Sequence, residues 1–344
     1  MITHEIYFRI PKLLQNSFLQ TSLASIKIGN QIKFLQQISR YELIKTKKGV
    51  RLLGSYTKAP NKFQSKGLVI LLHGWEGSIE SSYIIRMANF LITNGFDIFR
   101  LNFRDHGNTH HLNEGIFLGT LIEEVYDAII QIMEKYNVPT YVVGFSLGGN
   151  FAIRFGLLYN QKIRNKKNKN QKDLLEFIFA VSPAIDPKKT TLVIDQDKIY
   201  KKYFLSKWKE SLRLKEYYFP YLYHFEPYMK IDSIMELTER GIMKYSNFKN
   251  VDDYFSRYTI SNFSFKNLKI PLYILTAHDD PIIPVEDFYF LKDIPNVHLC
   301  ITEKGGHNGF IMDFQFHCYY MDLFADIIRT FNLTGFFDPS IKKK

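Results

Sequence analysis

The sequence predicts an α/β protein with a mostly parallel central sheet, helices on both faces and an inserted helical segment. Short, continuous apolar runs at residues 68–72, 141–143 and 177–181 are typical of strands buried on both faces. Residues 81–94 and 121–136 lie between these runs and carry apolar side chains at helical spacing. Because strands that alternate with helices pair in parallel through right-handed crossovers, the runs are expected to be strands of one sheet.

The chain before this sheet is predicted to contribute a helical segment and a β-hairpin. Apolar side chains in residues 1–40 predict an amphipathic helix that packs on the domain, and contact with a membrane surface is the alternative. Polar and charged residues interrupt every apolar run there, so no secretory signal is expected. Residues 41–46 and 50–56 alternate apolar and polar side chains around a glycine-containing turn, which predicts the hairpin.

Residues 186–267 interrupt the alternation of strand and helix. The segment is rich in Tyr, Phe, Lys and Glu, has a helical pattern and contains no convincing strand, which predicts a lid inserted between two strands of the sheet. Its aromatic side chains either form a wall over a site or pack the lid onto the sheet. The sheet is expected to resume at 271–276 and 297–302, followed by a helix at 319–331. The predicted parts are a helical N-terminal segment (1–40), the first part of the core (41–185), the helical lid (186–267) and the second part of the core (268–344).

The composition indicates an ordered globular protein in a reducing compartment. Of the 344 residues, 46% are hydrophobic and 16% are aromatic, which does not suit a disordered chain. Cys300 and Cys318 are too few for a disulfide framework or a cysteine-based zinc site, so a cytoplasmic location is expected. No apolar segment approaches the roughly 18 to 20 residues that a membrane span needs.

The net charge of +11 suggests attraction to anionic surfaces, either membrane lipid or nucleic acid. Much of the excess lies in an Asn/Lys-rich run at residues 162–172 and in the last three residues, 342–344. Such runs are most often solvated loops or tails. No nucleic-acid partner is therefore expected, and a peripheral contact with a membrane stays open as a second interpretation.

The sequence Gly-Phe-Ser-Leu-Gly at residues 144–148 separates a predicted strand from a predicted helix. A serine on such a sharp turn is held in a strained backbone conformation, and the flanking glycines relieve crowding with neighbouring elements. The free N–H groups of the helix N-terminus also favour negative charge beside it. The motif alone is a weak signal, but its position between strand and helix predicts that Ser146 is a nucleophile.

A serine hydroxyl needs a general base, and the base needs a carboxylate that orients it. The loop after residues 271–276 contains Asp279 and Asp280, and the loop after residues 297–302 contains His307. Because each loop follows a strand of the same predicted sheet, these side chains are expected to converge with the serine at one edge. Only one of the two adjacent carboxylates is expected to reach His307, whose alternative role is that of a structural histidine.

Negative charge that develops on a substrate oxygen needs preorganised donors. The backbone N–H of Leu147, at the start of the helix, is one candidate. The N–H of Trp75, in the loop after residues 68–72, is the other. His73, which opens that loop, is expected to brace it rather than to exchange protons.

No cofactor and no metal ion are predicted. Three histidines lie close together in the sequence, at His106, His110 and His111, but no carboxylate or cysteine stands at ligand spacing from them. No dinucleotide-binding or P-loop fingerprint is present either.

Motifs spread over residues 67–331 carry a resemblance to a known family. They are His-Gly-Trp-Glu-Gly-Ser at 73–78, Ser-Tyr at 82–83, Asn-Phe-Arg at 102–104, Gly-Phe-Ser-Leu-Gly-Gly-Asn at 144–150, Tyr254 and Tyr258, Asp-Asp-Pro at 279–281, and Gly-Gly-His at 305–307. The set resembles the α/β-hydrolase superfamily and, within it, the YheT-like branch of predicted esterases. The resemblance implies the α/β-hydrolase fold.

The resemblance also implies roles for individual residues. It assigns the nucleophile to Ser146 and the base to His307, and it supports both oxyanion donors named above. In the wider superfamily the acid commonly precedes a proline by four residues, which selects Asp280 ahead of Pro284. The chain departs from the family at Asp105, where many relatives have glycine.

The resulting hypothesis is a serine hydrolase that cleaves carboxylic esters, as a carboxylesterase or lipase-like enzyme, through an acyl-enzyme on Ser146. A small-molecule or lipid-like ester is the expected substrate, with a medium-chain acyl group favoured. Acyl transfer and thioester hydrolysis use the same groups and stay open as alternatives. A non-catalytic binding module of the same fold is a further alternative, and the sequence does not define the oligomeric state.

Overall fold

A nine-stranded sheet forms the centre of the part of the chain that the structure describes. The structure is a computed structural model, and it describes residues 3–6, 8, 10–27, 29–60, 65–164, 173–265 and 268–334. The strands are β1 (Thr3–Ile6), β2 (Ser39–Lys45), β3 (Arg51–Thr57), β4 (Leu68–Leu72), β5 (Asp97–Leu101), β6 (Thr140–Phe145), β7 (Leu175–Val181), β8 (Leu272–Ala277) and β9 (Val297–Thr302). Their order across the sheet is β1-β9-β8-β7-β6-β4-β5-β3-β2.

The sheet is mostly parallel, as predicted. Only β2 with β3 and β3 with β5 pair in the antiparallel sense, and the predicted hairpin is the β2–β3 pair. Side chains of β4 alternate between two apolar cores, because Leu68 and Ile70 face one core and Val69 and Leu71 face the other. Burial on both faces explains why these strands are continuous apolar runs in the sequence.

Helices cover both faces of the sheet. They are α1 (Ser17–Ala24), α2 (Gly29–Ile38), α3 (Ser82–Thr93), α4 (Ile122–Tyr136), α5 (Leu147–Arg164), α6 (Pro187–Gln196), α7 (Lys198–Tyr218), α8 (Ile234–Leu237), α9 (Val251–Ser256) and α10 (Tyr319–Thr334). Helices α4 and α5 pack on the first core, and α3 and α10 pack on the second. No helix in the described ranges is both long enough and apolar enough to cross a membrane.

The N-terminal segment differs from the helical prediction in one element. Strand β1 pairs in parallel with β9, with Thr3 opposite Leu299. Without this pairing the outer edge of β9 would leave a row of backbone N–H and C=O groups unpaired. Helices α1 and α2 follow strand β1 within residues 1–40.

Helices α6 to α9 form a helical insertion between β7 and β8, and no strand occurs among its described residues. The insertion packs on the first core through buried side chains that include Leu205, Leu212 and Leu237. Asp197 caps the N-terminus of α7 by accepting hydrogen bonds from the backbone N–H groups of Ile199 and Tyr200. The Lys-rich run discussed above lies mainly outside the described residues, as do residues 342–344.

Candidate active site

Ser146 lies on the turn between β6 and α5, with a φ angle of 53°. This left-handed conformation is unusual for a residue with a side chain and marks a strained turn. A Cβ atom at Gly144 would overlap the carbonyl of Gly148, and one at Gly148 would overlap the carbonyl of Leu72. Both positions therefore need glycine, which explains the spacing of the motif.

The structure brings Ser146, His307 and Asp280 into one hydrogen-bonded chain. His307 Nε2 lies 2.9 Å from Ser146 Oγ, and His307 Nδ1 lies 2.9 Å from Asp280 Oδ2. With Nδ1–H donating to the carboxylate, Nε2 is left to accept the hydroxyl proton of Ser146. The carboxylate is fully buried and also accepts from the backbone N–H groups of Ile282 and Ile283. This network fixes the imidazole in the orientation that a general base needs.

Asp279, the other candidate for the acid, makes a different contact. Its Oδ1 atom accepts a hydrogen bond of 2.9 Å from the backbone N–H of Gly306, so it braces the loop that carries His307. Burial raises the pKa of the Asp279 carboxyl group, and the Gly306 hydrogen bond opposes that shift. Asp279 therefore holds the loop, and Asp280 holds the imidazole of His307.

The two residues predicted as oxyanion donors both lie beside Ser146. Leu147 is the first residue of α5, and Trp75 lies in the loop after β4. That loop passes close to the serine, because a Cβ atom on Gly74 would stand 3.2 Å from Ser146 Cβ. Its position is fixed by a hydrogen bond from the Gly74 N–H to the hydroxyl of Tyr83. The backbone N–H groups of both residues therefore belong to segments that border Ser146.

His73 connects this loop to the loop after β5. Its Nε2 accepts from the Phe103 N–H, which leaves Nδ1–H to donate to the Gly74 carbonyl at 2.8 Å. Burial lowers the pKa of His73 well below its ordinary value, so the ring is neutral at pH 7. Burial likewise lowers the pKa of His106 to about 4 and that of His110 to about 3. Within the described residues, no three His, Cys, Asp or Glu side chains form a group that could hold a metal ion.

Helix α1 supplies contacts to the His307 loop that the sequence analysis missed. Thr21 Oγ1 accepts the backbone N–H of His307 at 2.9 Å and donates to the Ser17 carbonyl. Gln20 is completely buried, and its amide bonds both the N–H and the carbonyl of Ile311. The residues of the Thr21–His307 and Gln20–Ile311 contacts are 286 and 291 positions apart, so no local sequence pattern predicts these hydrogen bonds.

Two cavities meet at Ser146. A cleft of about 870 Å³ is lined by Ser146 and His307 together with side chains of α1 and α7. An apolar cavity of about 90 Å³ lies beside Ser146 and Leu147 under the helical insertion. Trp75 borders both spaces and is held by Phe204, which stacks on it at 5.4 Å, and by Trp208 at 5.1 Å. The stacked aromatic rings separate the two spaces.

The strand order, the serine turn and the three converging loops define the α/β-hydrolase fold. Residues 67–165 match the family model of the α/β hydrolase fold. Phospholipase ABHD3 of Mus musculus is 24% identical to the chain over 298 residues, which are 82% of this chain and 69% of the relative. The chain spans about two thirds of the length of such curated relatives.

Solved structures show the same fold. The esterase Pf2001 of Pyrococcus furiosus is 19% identical, with coverage of 87% of this chain and 92% of that chain and a TM-score of 0.54. The serine hydrolase CCSP0084 of Cycloclasticus zankles is 14% identical, with coverage of 86% and 99% and a TM-score of 0.55. At these identities the similarity defines the architecture of the chain and leaves its substrate to be argued from the site.

Proposed function

We propose that the protein is a serine hydrolase that cleaves carboxylic esters through an acyl-enzyme on Ser146. The observation that carries the proposal is the continuous hydrogen-bonded chain from Ser146 Oγ through the imidazole of His307 to the buried carboxylate of Asp280. The names of the relatives, a phospholipase and an esterase, support ester substrates. The resemblance to the YheT-like esterase branch and the cytoplasmic location stay predictions.

The reaction follows from the positions of these groups. Ser146 Oγ attacks the ester carbonyl carbon while His307 Nε2 takes the hydroxyl proton, and the imidazolium is stabilised by Asp280. The backbone N–H groups of Leu147 and Trp75 receive the oxyanion. The same imidazolium then protonates the leaving alcohol, and a water molecule, activated by His307, releases the acid from the serine.

The two cavities support a proposal for where the two halves of the ester bind. Because His307 has to hand its proton to the leaving oxygen, the alcohol must lie on the side of His307, which is the cleft. The acyl chain then enters the apolar cavity beside Leu147. The substrate is therefore an ester with a small acyl group and a large alcohol, which departs from the medium-chain acyl group favoured by the sequence.

The test is hydrolysis of p-nitrophenyl esters of increasing acyl length by the wild type and by Ser146→Ala. We expect wild-type turnover and a loss of about 10⁴-fold or more in the variant, because the nucleophile is removed. Ser206→Ala, on the exposed face of α7, is the matched control and should keep wild-type rates. Equal inertness of folded wild type and Ser146→Ala across the series would contradict ester hydrolysis and favour a binding module.

A further inference from the structure

Large apolar side chains stand exposed at the mouth of the cleft. Phe18 of α1 is 46% exposed, and Ile199 and Tyr203 of α7 are 59% and 48% exposed, yet all three line the cleft that reaches Ser146. Ile199 and Tyr203 lie four residues apart and therefore share one face of α7. Phe18 lies beside this part of α7, because its ring contacts the ring of Tyr200 at a centroid distance of 6.2 Å. We call Phe18, Ile199 and Tyr203 the apolar rim.

Exposed lysines lie near the apolar rim. Lys27 and Lys207 line the cleft, and Lys198 and Lys202 are the immediate sequence neighbours of Ile199 and Tyr203. The carboxylates of Glu80 and Glu210 also line the cleft, and that of Asp105 lines it as the partner of Lys215.

The other carboxyl groups near the mouth leave a small excess of positive charge. Burial raises the pKa of Glu76 well above its ordinary value, with nearby Asp105 acting in the same direction. Asp197, at the start of α7, keeps its charge while it caps that helix. Four exposed lysines therefore lie near the three carboxylates of Glu80, Asp197 and Glu210, and the small excess has the same sign as the net charge of +11.

We propose that this face of the protein docks on an anionic lipid surface, with the mouth of the cleft against the lipid head groups. Aromatic and aliphatic side chains gain by entering the interfacial region, and lysines beside them attract acidic lipid heads while their stems cover apolar surface. The orientation opens the cleft toward the lipid, so an ester can reach Ser146 without crossing bulk water. Only the delivery of an ester to Ser146 rests on the proposed function, because docking on lipid needs no hydrolysis.

The first experiment is co-sedimentation with vesicles of phosphatidylcholine, with and without phosphatidylserine. The Ser146→Ala protein is used, so binding is measured without hydrolysis. We expect binding to the anionic vesicles that weakens as salt is added. Lys198→Glu with Lys202→Glu should weaken this binding about tenfold or more. The same charge change at Lys244 and Lys249, exposed lysines of the insertion away from the cleft lining, should leave binding unchanged.

The second experiment removes the apolar component. Phe18→Ser, Ile199→Ser and Tyr203→Ser together should weaken vesicle binding about tenfold or more at every salt concentration. The matched control is Tyr221→Ser with Phe263→Ser. These side chains are 70% and 93% exposed but do not line the cleft.

Three outcomes would overturn the proposal. The first is an absence of vesicle binding, and the second is an equal loss of binding in the rim and control variants. The third is a wild-type dimer in sedimentation velocity that becomes a monomer in the rim variant, which would make a second copy of the chain the occupant of this face. Wild-type turnover of a water-soluble ester judges the proposed function separately. The variant with glutamate at positions 198 and 202 should keep that turnover, because neither lysine lines either cavity.

Discussion

At the scale of single residues, the Thr21 hydroxyl helps to hold the backbone of His307 in place. Thr21→Val keeps the shape of the side chain but removes the acceptor for the His307 N–H. A partly buried N–H left without a partner costs about 1–3 kcal/mol, and the loop can relieve this only by moving the imidazole. We expect kcat for a soluble ester to fall about tenfold to 100-fold with little change in KM, because displacement of a catalytic group slows chemistry more than binding.

Two variants separate positioning from general stability. Thr21→Ser restores the hydroxyl and should recover most of the rate. Thr93→Val removes a threonine hydroxyl from α3 that bonds only carbonyls of its own helix, and it should leave kcat unchanged. A rate for Thr21→Val that equals wild type would show that His307 does not depend on this hydrogen bond.

At the scale of elements, a buried ion pair fastens helix α7 to the loop after β5. Lys215 Nζ donates to Asp105 Oδ1 at 2.9 Å and to the carbonyls of Asn113 and Gly115, and both charged side chains are almost inaccessible. Burial raises the pKa of Asp105 to about 6 and lowers that of Lys215, and each charge partly offsets the shift of the other. The pair links α7 to the loop after β5, next to the site.

Lys215→Met should lower the free energy of unfolding by about 3–5 kcal/mol at pH 7, because it leaves the Asp105 carboxylate buried without its partner. The pKa of Asp105 in the folded state is about 6, above its ordinary value of 3.8. Between these two pH values the folded state binds a proton that the unfolded state releases. The free energy of unfolding therefore falls as the pH rises from 3.8 to about 6. Loss of Lys215 moves the folded pKa further upward. Acidification from pH 7 to pH 5 should therefore recover part of the lost stability.

Urea unfolding of the variant at both pH values tests this prediction. Lys201→Met, on the same helix, removes an ion pair with the exposed Asp232 and should change stability little. Equal free energies of unfolding for Lys215→Met and Lys201→Met at pH 7 would contradict a stabilising role for the buried pair. So would a free energy of unfolding for Lys215→Met that does not rise between pH 7 and pH 5.

The same elements show what sequence can predict. Strands β4 and β9 occupy the predicted residues, since a strand buried on both faces leaves a continuous apolar run. Converging strand ends likewise predict that Ser146 and His307 approach each other. The Asp105–Lys215 pair joins residues 110 positions apart, and the sequence shows Asp105 only as a departure from glycine. Its φ of 57° explains why glycine suits this position in many relatives, because glycine adopts this conformation more easily.

At the scale of the whole molecule, two cavities of unequal size meet at Ser146. The apolar cavity lies between the ends of the sheet strands and helices α6, α8 and α9, so its size is set by how the insertion packs. No stretch of sequence encodes that distance, so the size of the cavity could not be predicted from the sequence. Its volume is about 90 Å³, whereas a cavity of about 150 Å³ holds benzene.

On the proposal that the acyl chain enters this cavity, the volume leaves room for about four acyl carbons, and hydrolysis rates along the p-nitrophenyl series should peak near butyrate and fall for longer chains. Ile242 lines the cavity, and Ile242→Ala should move the peak toward longer chains, because it removes three carbon atoms from the wall. Ile260→Ala is the matched control, since Ile260 is equally buried in the same insertion but lines neither cavity. Both variants lose stability by creating a void, but only a void next to the acyl chain changes which ester is preferred. A peak at long chains in the wild type, or the same shift in both variants, would place the acyl group in the cleft instead.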